Sequence, residues 1–249
     1  MAINSENHVH SFPLSAAGTS VPRLMIAPAR FEPHATMADM RSQVRQQARK
    51  HTRQWLNQVW HTAGLPFSCQ REDKVAQKTK CFEFNIIYTQ QGQPFGFHPD
   101  IGPCGVSVSH SGIWYAIATA PQRTLGIDLQ CYRHFGASAR QWAFTAEECT
   151  QSMTFLCAAW AVREAFLKSH GTGLPHVLRT IDIDWQQQRV SDPTANLSER
   201  LFWLIHGLYW VCAICYGPES DAPEYERPEL DITTLSTSVP FTVSSGRSI

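Results

Sequence analysis

Two short stretches of the 249-residue chain carry the side chains best suited to chemistry. The first, "TLGIDLQ" at 124–130, reads as a strand with Leu125, Ile127 and Leu129 on one face and Gly126, Asp128 and Gln130 on the other. Strand residues two apart stand about 7 Å apart, so a carboxylate and an amide share one face of an otherwise apolar element. That face is either the wet side of an ordinary half-buried strand or a pair of oxygen ligands for a cation. The second stretch is "FLCAAWAVREAFLKSHGTG", where only Arg163, Glu164 and Lys168 are charged between 155 and 168. Apolar residues surround the whole cylinder, which predicts a helix buried on most sides.

Glu164 and Lys168 are four residues apart and share a helix face. Exposed, such a pair contributes about 0.3–0.5 kcal/mol. Trp160, Ala161 and Leu167 lie on that side, however, and a carboxylate among apolar neighbours must be paired or bind a metal. The pattern favours the functional reading. Two carboxylates, Asp128 and Glu164, with the Gln130 amide suit a Mg²⁺ that keeps several waters. Lysine beside such an ion suits phosphate oxygens. Together they point to metal-assisted phosphoryl or phosphodiester transfer.

The elements that must position these groups follow from periodicity. A helix near 37–61 precedes strands near 82–89, 105–109 and 113–120. After the strand at 124–130 come helical segments over 146–169 and strands near 179–186 and 200–215. "TAEE" at 145–148 reads as a capping box, and Gly171 as a helix stop. Short strands and long helices out of strict alternation predict an α+β fold with helices on largely antiparallel sheets. The division expected is a flexible 1–20, halves of similar layout at 21–122 and 123–217, and a Pro-, Ser- and acid-rich tail at 218–249. The first helix carries Arg41, Arg45, Arg49 and Arg53 at intervals of four, with no acid between them. This stripe is either a solvated face or a binding surface for phosphate or an acidic partner.

Composition narrows the class. Formal charge is zero, which gives no global pull toward nucleic acid or membrane. There is no secretory signal pattern and no apolar run of about 20 residues. Eight cysteines without an export signal read as reduced thiols, so a soluble cytoplasmic protein is expected. Cys212 and Cys215, three apart on a strand, face opposite sides and cannot share a metal. HExxH, GxxxxGK[ST], GxSxG and GxGxxG are absent.

"LGIDLQ" followed about 30 residues later by "WAVREAFLK" resembles the paired signatures of the 4′-phosphopantetheinyl transferases of the surfactin-synthetase type. "VSHSG" at 108–112, "GQP" at 92–94 and "AFTAEE" at 143–148 are similar to further segments of that family, in order. The resemblance implies a pseudo-two-fold monomer that moves phosphopantetheine from coenzyme A to a serine of an acyl or peptidyl carrier protein, with Mg²⁺, releasing 3′,5′-ADP. It implies Asp128, Gln130 and Glu164 as metal ligands, Glu164 as general base and Lys168 on the phosphates. His110, Ser109, Arg163, Arg45 and Arg49 are then expected to contact coenzyme A. For His110 the residue-level reading is otherwise a simple turn. The sequence departs from the family at Gln130, where an acid is usual, at Arg163 and Gln93, where lysine is common, and at Val106 and Ser107. Two alternatives stay open: a catalytically impaired homologue that binds coenzyme A or a carrier, and another Mg²⁺-dependent phosphodiesterase.

Overall fold

The structure is a computed structural model that describes residues 9–10, 22–31, 35–62, 85–88, 94–98, 102–121, 123–172 and 177–217. Most of the expected N-terminal segment, the tail 218–249, residues 82–84 and the Gly92–Gln93 pair lie outside these. Six antiparallel strands form the first sheet: β1 (Val9–His10), β2 (Arg23–Pro28), β3 (Asn85–Tyr88), β4 (Pro94–His98), β5 (Gly102–Ser111) and β6 (Trp114–Pro121). Their order is β1-β2-β6-β5-β4-β3. Five more form the second: β7 (Leu125–Cys131), β8 (Asp182–Asp184), β9 (Arg189–Asp192), β10 (Leu197–His206) and β11 (Trp210–Tyr216), ordered β7-β11-β10-β9-β8. Helix α1 (Met37–Thr62) follows β2, and α3 (Met153–Ser169) follows β7 after the short α2 (Ala137–Ala143). Apart from β1, strand, long helix, then four strands is the order in both halves, and β2-β6-β5-β4-β3 corresponds to β7-β11-β10-β9-β8.

Period-two alternation sorts the side chains into layers. Met25 and Ala27 of β2 pack with Val44, Ala48, Trp55 and Leu56 of α1. On the other face, Leu24 and Ile26 meet Leu125, Ile127 and Leu129 of β7 between the sheets. Beneath α3, Val211, Ala213 and Cys215 of β11 receive Ala158, Val162 and Phe166. The layers are therefore α1, first sheet, second sheet, α3. Cys212 lies in the inter-sheet cluster and Cys215 under α3, on opposite faces as expected.

Several element boundaries differ from the sequence expectation. The single strand near 200–215 is a hairpin, β10 and β11 in register His206↔Val211, turning at residues 207–209. The helical region 146–169 is a 3₁₀ turn at Glu148–Thr150 followed by α3, whose first turn is capped by Ser152 accepting from the Phe155 N–H. The capping box at 145–148 is present, with Thr145 N–H donating to Glu148 Oε2 and Glu148 N–H to Thr145 Oγ1. At the far end of α3, Gly171 takes φ +68°, and the N–H groups of Gly171 and Thr172 bond to Lys168 and Leu167 carbonyls. This is a Schellman stop.

Three serines join the two sheets. Ser107, Ser109 and Ser111 alternate along β5, and their hydroxyls accept the N–H groups of Ile127 (3.0 Å), Leu129 (3.1 Å) and Cys131 (2.9 Å) on β7. β7 is the edge of its sheet, so these are the donors that β11 leaves unpaired. On its other face β7 touches α3: a Cβ on Gly126 would lie 2.0 Å from the Ala165 carbonyl and 2.4 Å from the Ser169 nitrogen. Only glycine allows this approach.

Ser107 takes part in the ladder and does not line the cavity described below, so it isolates the ladder's energetic role. Ser107→Ala leaves the buried Ile127 N–H without its acceptor and is expected to cost about 1–3 kcal/mol in urea unfolding. Gly126→Ala is expected to cost as much or more, through forced separation of α3 from β7. A Ser107→Ala midpoint equal to the parent's would show that the hydroxyl is dispensable.

Candidate functional site

The close approach at Gly126 places the next residue on the same face of β7, Asp128, beneath the Lys168 side chain of α3. Lys168 Nζ lies 2.7 Å from Asp128 Oδ1, and the Ser109 hydroxyl donates to the same oxygen at 2.8 Å. Lys168 also donates to the Ile127 carbonyl at 3.1 Å and approaches Ser109 Oγ at 3.4 Å. The ion pair of this helix face therefore crosses from α3 to β7. Asp128 is 6% exposed, so losing either partner would strand a buried charge.

This knot forms the floor of an open cavity of about 320 Å³. β5 contributes Ser109 and His110 to its walls, β7 contributes Asp128 and Gln130, and α3 contributes Trp160, Glu164 and Lys168. Arg133, just past the end of β7, completes the rim. Gln130 is buried and donates its amide nitrogen to the Cys131 carbonyl at 2.8 Å, which fixes the direction of its side chain.

The electrostatics of the cavity follow from these placements. Burial pushes the Glu164 carboxyl up to about 7, the Asp128 charge adds to the rise, and Lys168 and Arg133 oppose it. For Lys168, burial acts to lower the pKa, but Asp128 and then Glu164 outweigh it, so its ammonium is held more firmly than in a free lysine. The His110 imidazole is lowered, chiefly by loss of solvent and also by the Arg45 and Lys168 cations. Arg45 thus stands close enough to His110 for their charges to interact.

The structure brings Asp128, Gln130, Glu164, Lys168, Ser109 and His110 to one cavity. It does not bring Arg163 there. That guanidinium, 2% exposed, forks onto Glu148 at 2.8 and 3.0 Å and donates to the Ile181 and Ala143 carbonyls. Adjacent helix residues point about 100° apart, so Arg163 cannot share the wall that Glu164 forms. The expectation that it contacts coenzyme A is corrected: it clamps α3 to the capping-box segment. Arg45 and Arg49 are exposed on α1 and do not line the cavity. Sequence reasoning missed Arg133 and the sheet-joining role of the serines. The alternation of Ser107, Ser109 and Ser111 was the available signal for the latter.

Residues 124–215, from the start of β7 almost to the end of β11, match the family model described as the 4′-phosphopantetheinyl transferase superfamily. Over 155 residues the chain is 25% identical to a curated protein named "Phosphopantetheinyl transferase" from Thraustochytrium sp. (strain ATCC 26185 / S-3). The alignment covers 61% of this chain and 52% of that protein, so the chain spans about half the length of its relative.

The raised Glu164 carboxyl sets a pH dependence for the cation-free protein. A carboxyl whose folded pKa of about 7 exceeds the ordinary 4.5 binds its proton more tightly when folded. Its cost to folding is absent below about pH 4.5, grows as pH rises toward 7, and levels off above. At about 1.4 kcal/mol per unit the cost reaches roughly 3–4 kcal/mol. In chelator, Glu164→Gln should therefore be more stable than the parent by that amount at pH 8 and about equal at pH 4.5. Denaturant midpoints at the two values check this. A difference independent of pH would remove the assignment.

Proposed function

We propose that the protein transfers the 4′-phosphopantetheine group of coenzyme A to a serine of an apo acyl or peptidyl carrier protein, releasing 3′,5′-ADP. The observation that carries this reading is that the Asp128–Ser109–Lys168 knot and Glu164 line one cavity, with Asp128, Glu164 and Lys168 inside the span that matches the transferase family model. The matched relative's name supports the same reaction class.

The donor set fits a Mg²⁺ ion. Among the described residues no cluster of three His, Cys, Asp or Glu side chains exists to enclose a metal. Two carboxylates and an amide oxygen instead suit an ion that keeps waters and takes its remaining ligands from phosphates. The rise that Asp128 causes in Glu164 is the repulsion that a dication between them would relieve. Asp128, Glu164 and Gln130 would hold it. When bound, it neutralises pyrophosphate charge and orients the diphosphate.

The chain's own residues do the rest. Glu164, on the cavity wall, accepts the proton of the carrier serine as its hydroxyl oxygen bonds to the pantetheine-side phosphorus. The bond from that phosphorus to the bridging oxygen breaks, and 3′,5′-ADP leaves with the electron pair. Lys168 holds Asp128 in place and supplies positive charge beside the oxygens that gain negative charge. His110, with Arg45 close by, offers a contact for a further phosphate.

Mass spectrometry on apo carrier proteins incubated with coenzyme A, Mg²⁺ and the enzyme tests the reaction directly. The expected product is a carrier heavier by one phosphopantetheine. Glu164→Ala should keep the circular-dichroism spectrum and lower kcat at least about 100-fold, the range for loss of a general base. Full activity in that variant would sink the assignment of Glu164. Release of 3′,5′-ADP without any carrier would replace transfer with hydrolysis of the diphosphate bond.

A further inference from the structure

Lys168 is poorly placed to be the cavity's only phosphate contact. An ammonium has three N–H donors, and Lys168 has Asp128, the Ile127 carbonyl and Ser109 around it. Its charge already compensates a buried carboxylate. A ligand as anionic as a diphosphate calls for a second cation whose donors are available.

Arg133 meets that description. It lines the same cavity from the segment beyond β7. Its backbone is fixed to α3, with N–H and carbonyl both 3.5 Å from the buried Cys157 sulfur. Its guanidinium lies over the Phe135 ring at 5.2 Å and the Trp160 ring at 5.9 Å, and those two rings are stacked 5.2 Å apart. Trp160 is itself a cavity wall and comes from α3, one turn before Glu164. Among the described residues the guanidinium has no hydrogen-bond or ion-pair partner. Ring faces restrain a guanidinium plane while leaving its N–H edges open, which lowers the ordering cost of binding an anion.

We propose that Arg133, seated on the Phe135–Trp160 platform, is the binding residue for the diphosphate oxygens of the cavity's ligand, through its forked N–H edge. This rests on the reading of the cavity as a coenzyme A site and adds a residue and a subsite to it. The opposite wall, with His110 and nearby Arg45, is left for a separate phosphate.

Calorimetric titration of the full chain in Mg²⁺ with coenzyme A and with dephospho-coenzyme A tests the assignment, because both ligands carry the diphosphate and only one the 3′-phosphate. Arg133→Gln should weaken both by the same factor, about ten- to a hundred-fold, leaving their affinity ratio unchanged. Arg133→Lys, which keeps the charge and loses the fork, should recover only part of that loss. Phe135→Leu, which keeps apolar bulk without the ring, should weaken both ligands in the same proportion as each other. Arg133→Gln binding as tightly as the parent overturns the proposal. So does a loss confined to coenzyme A, which would put the guanidinium on the 3′-phosphate. If the parent protein binds neither ligand, the coenzyme A reading fails at its root. Unchanged thermal midpoints for this exposed residue exclude a folding defect.

Discussion

The contact on which this structure depends is the row of serine hydroxyls on β5 that accepts the outward N–H groups of β7. An edge strand with unpaired donors is ordinarily exposed to water or to another chain. Here Ser107, Ser109 and Ser111 satisfy three such donors inside the molecule, at distances of 2.9 to 3.1 Å. Hydroxyls suit this task because each accepts one bond and still donates another. Ser109 uses the second capacity on Asp128, so one side chain both joins the sheets and orients the carboxylate of the cavity. Assembly of the two sheets and construction of the site are thus the same event.

The close contact on the other side of β7 complements this. Gly126 lets the α3 backbone rest on the strand, and that depth sets the reach of Lys168 to Asp128. The charge arrangement then follows from burial. Asp128 is compensated by Lys168 and a hydroxyl, while Glu164 faces the cavity against both desolvation and a neighbouring carboxylate. Of the two carboxyls in the cavity, Glu164 is thereby pushed toward neutrality, by burial first and by the Asp128 charge second.

Legibility in the sequence tracked how local each signal was. α3 was legible because its apolar cylinder, three charges and terminal glycine all lie within one stretch. The faces of β7 were legible from strict alternation. β2 was not, because nearly all its positions are buried on both faces and no period survives. The β10–β11 hairpin was merged into one strand because its turn, "HGLY", lacks the Asn-Gly or Asp-Gly signal and apolar residues flank it closely. Placing Arg163 in the site followed a motif position without its helical angle. Arg133 was silent in the sequence because its restraint comes from Trp160, 27 positions away on another element.

The repeated topology shows what sets the copy beside the cavity apart. β2 and β7 hold the same place in their sheets, and their inward residues, Leu24 and Ile26 against Leu125 and Ile127, meet in the inter-sheet core. Their outward residues diverge. β2 presents Met25 and Ala27 to α1, which packs on them as core. β7 presents Gly126 and Asp128 to α3, where glycine admits the helix and aspartate meets a lysine. The edges diverge too: β1 pairs with the outer edge of β2, whereas serines serve that of β7. A strand partner would have filled the space beside β7. Side-chain acceptors satisfy the same donors while leaving its polar face open at one end, and that opening is the cavity.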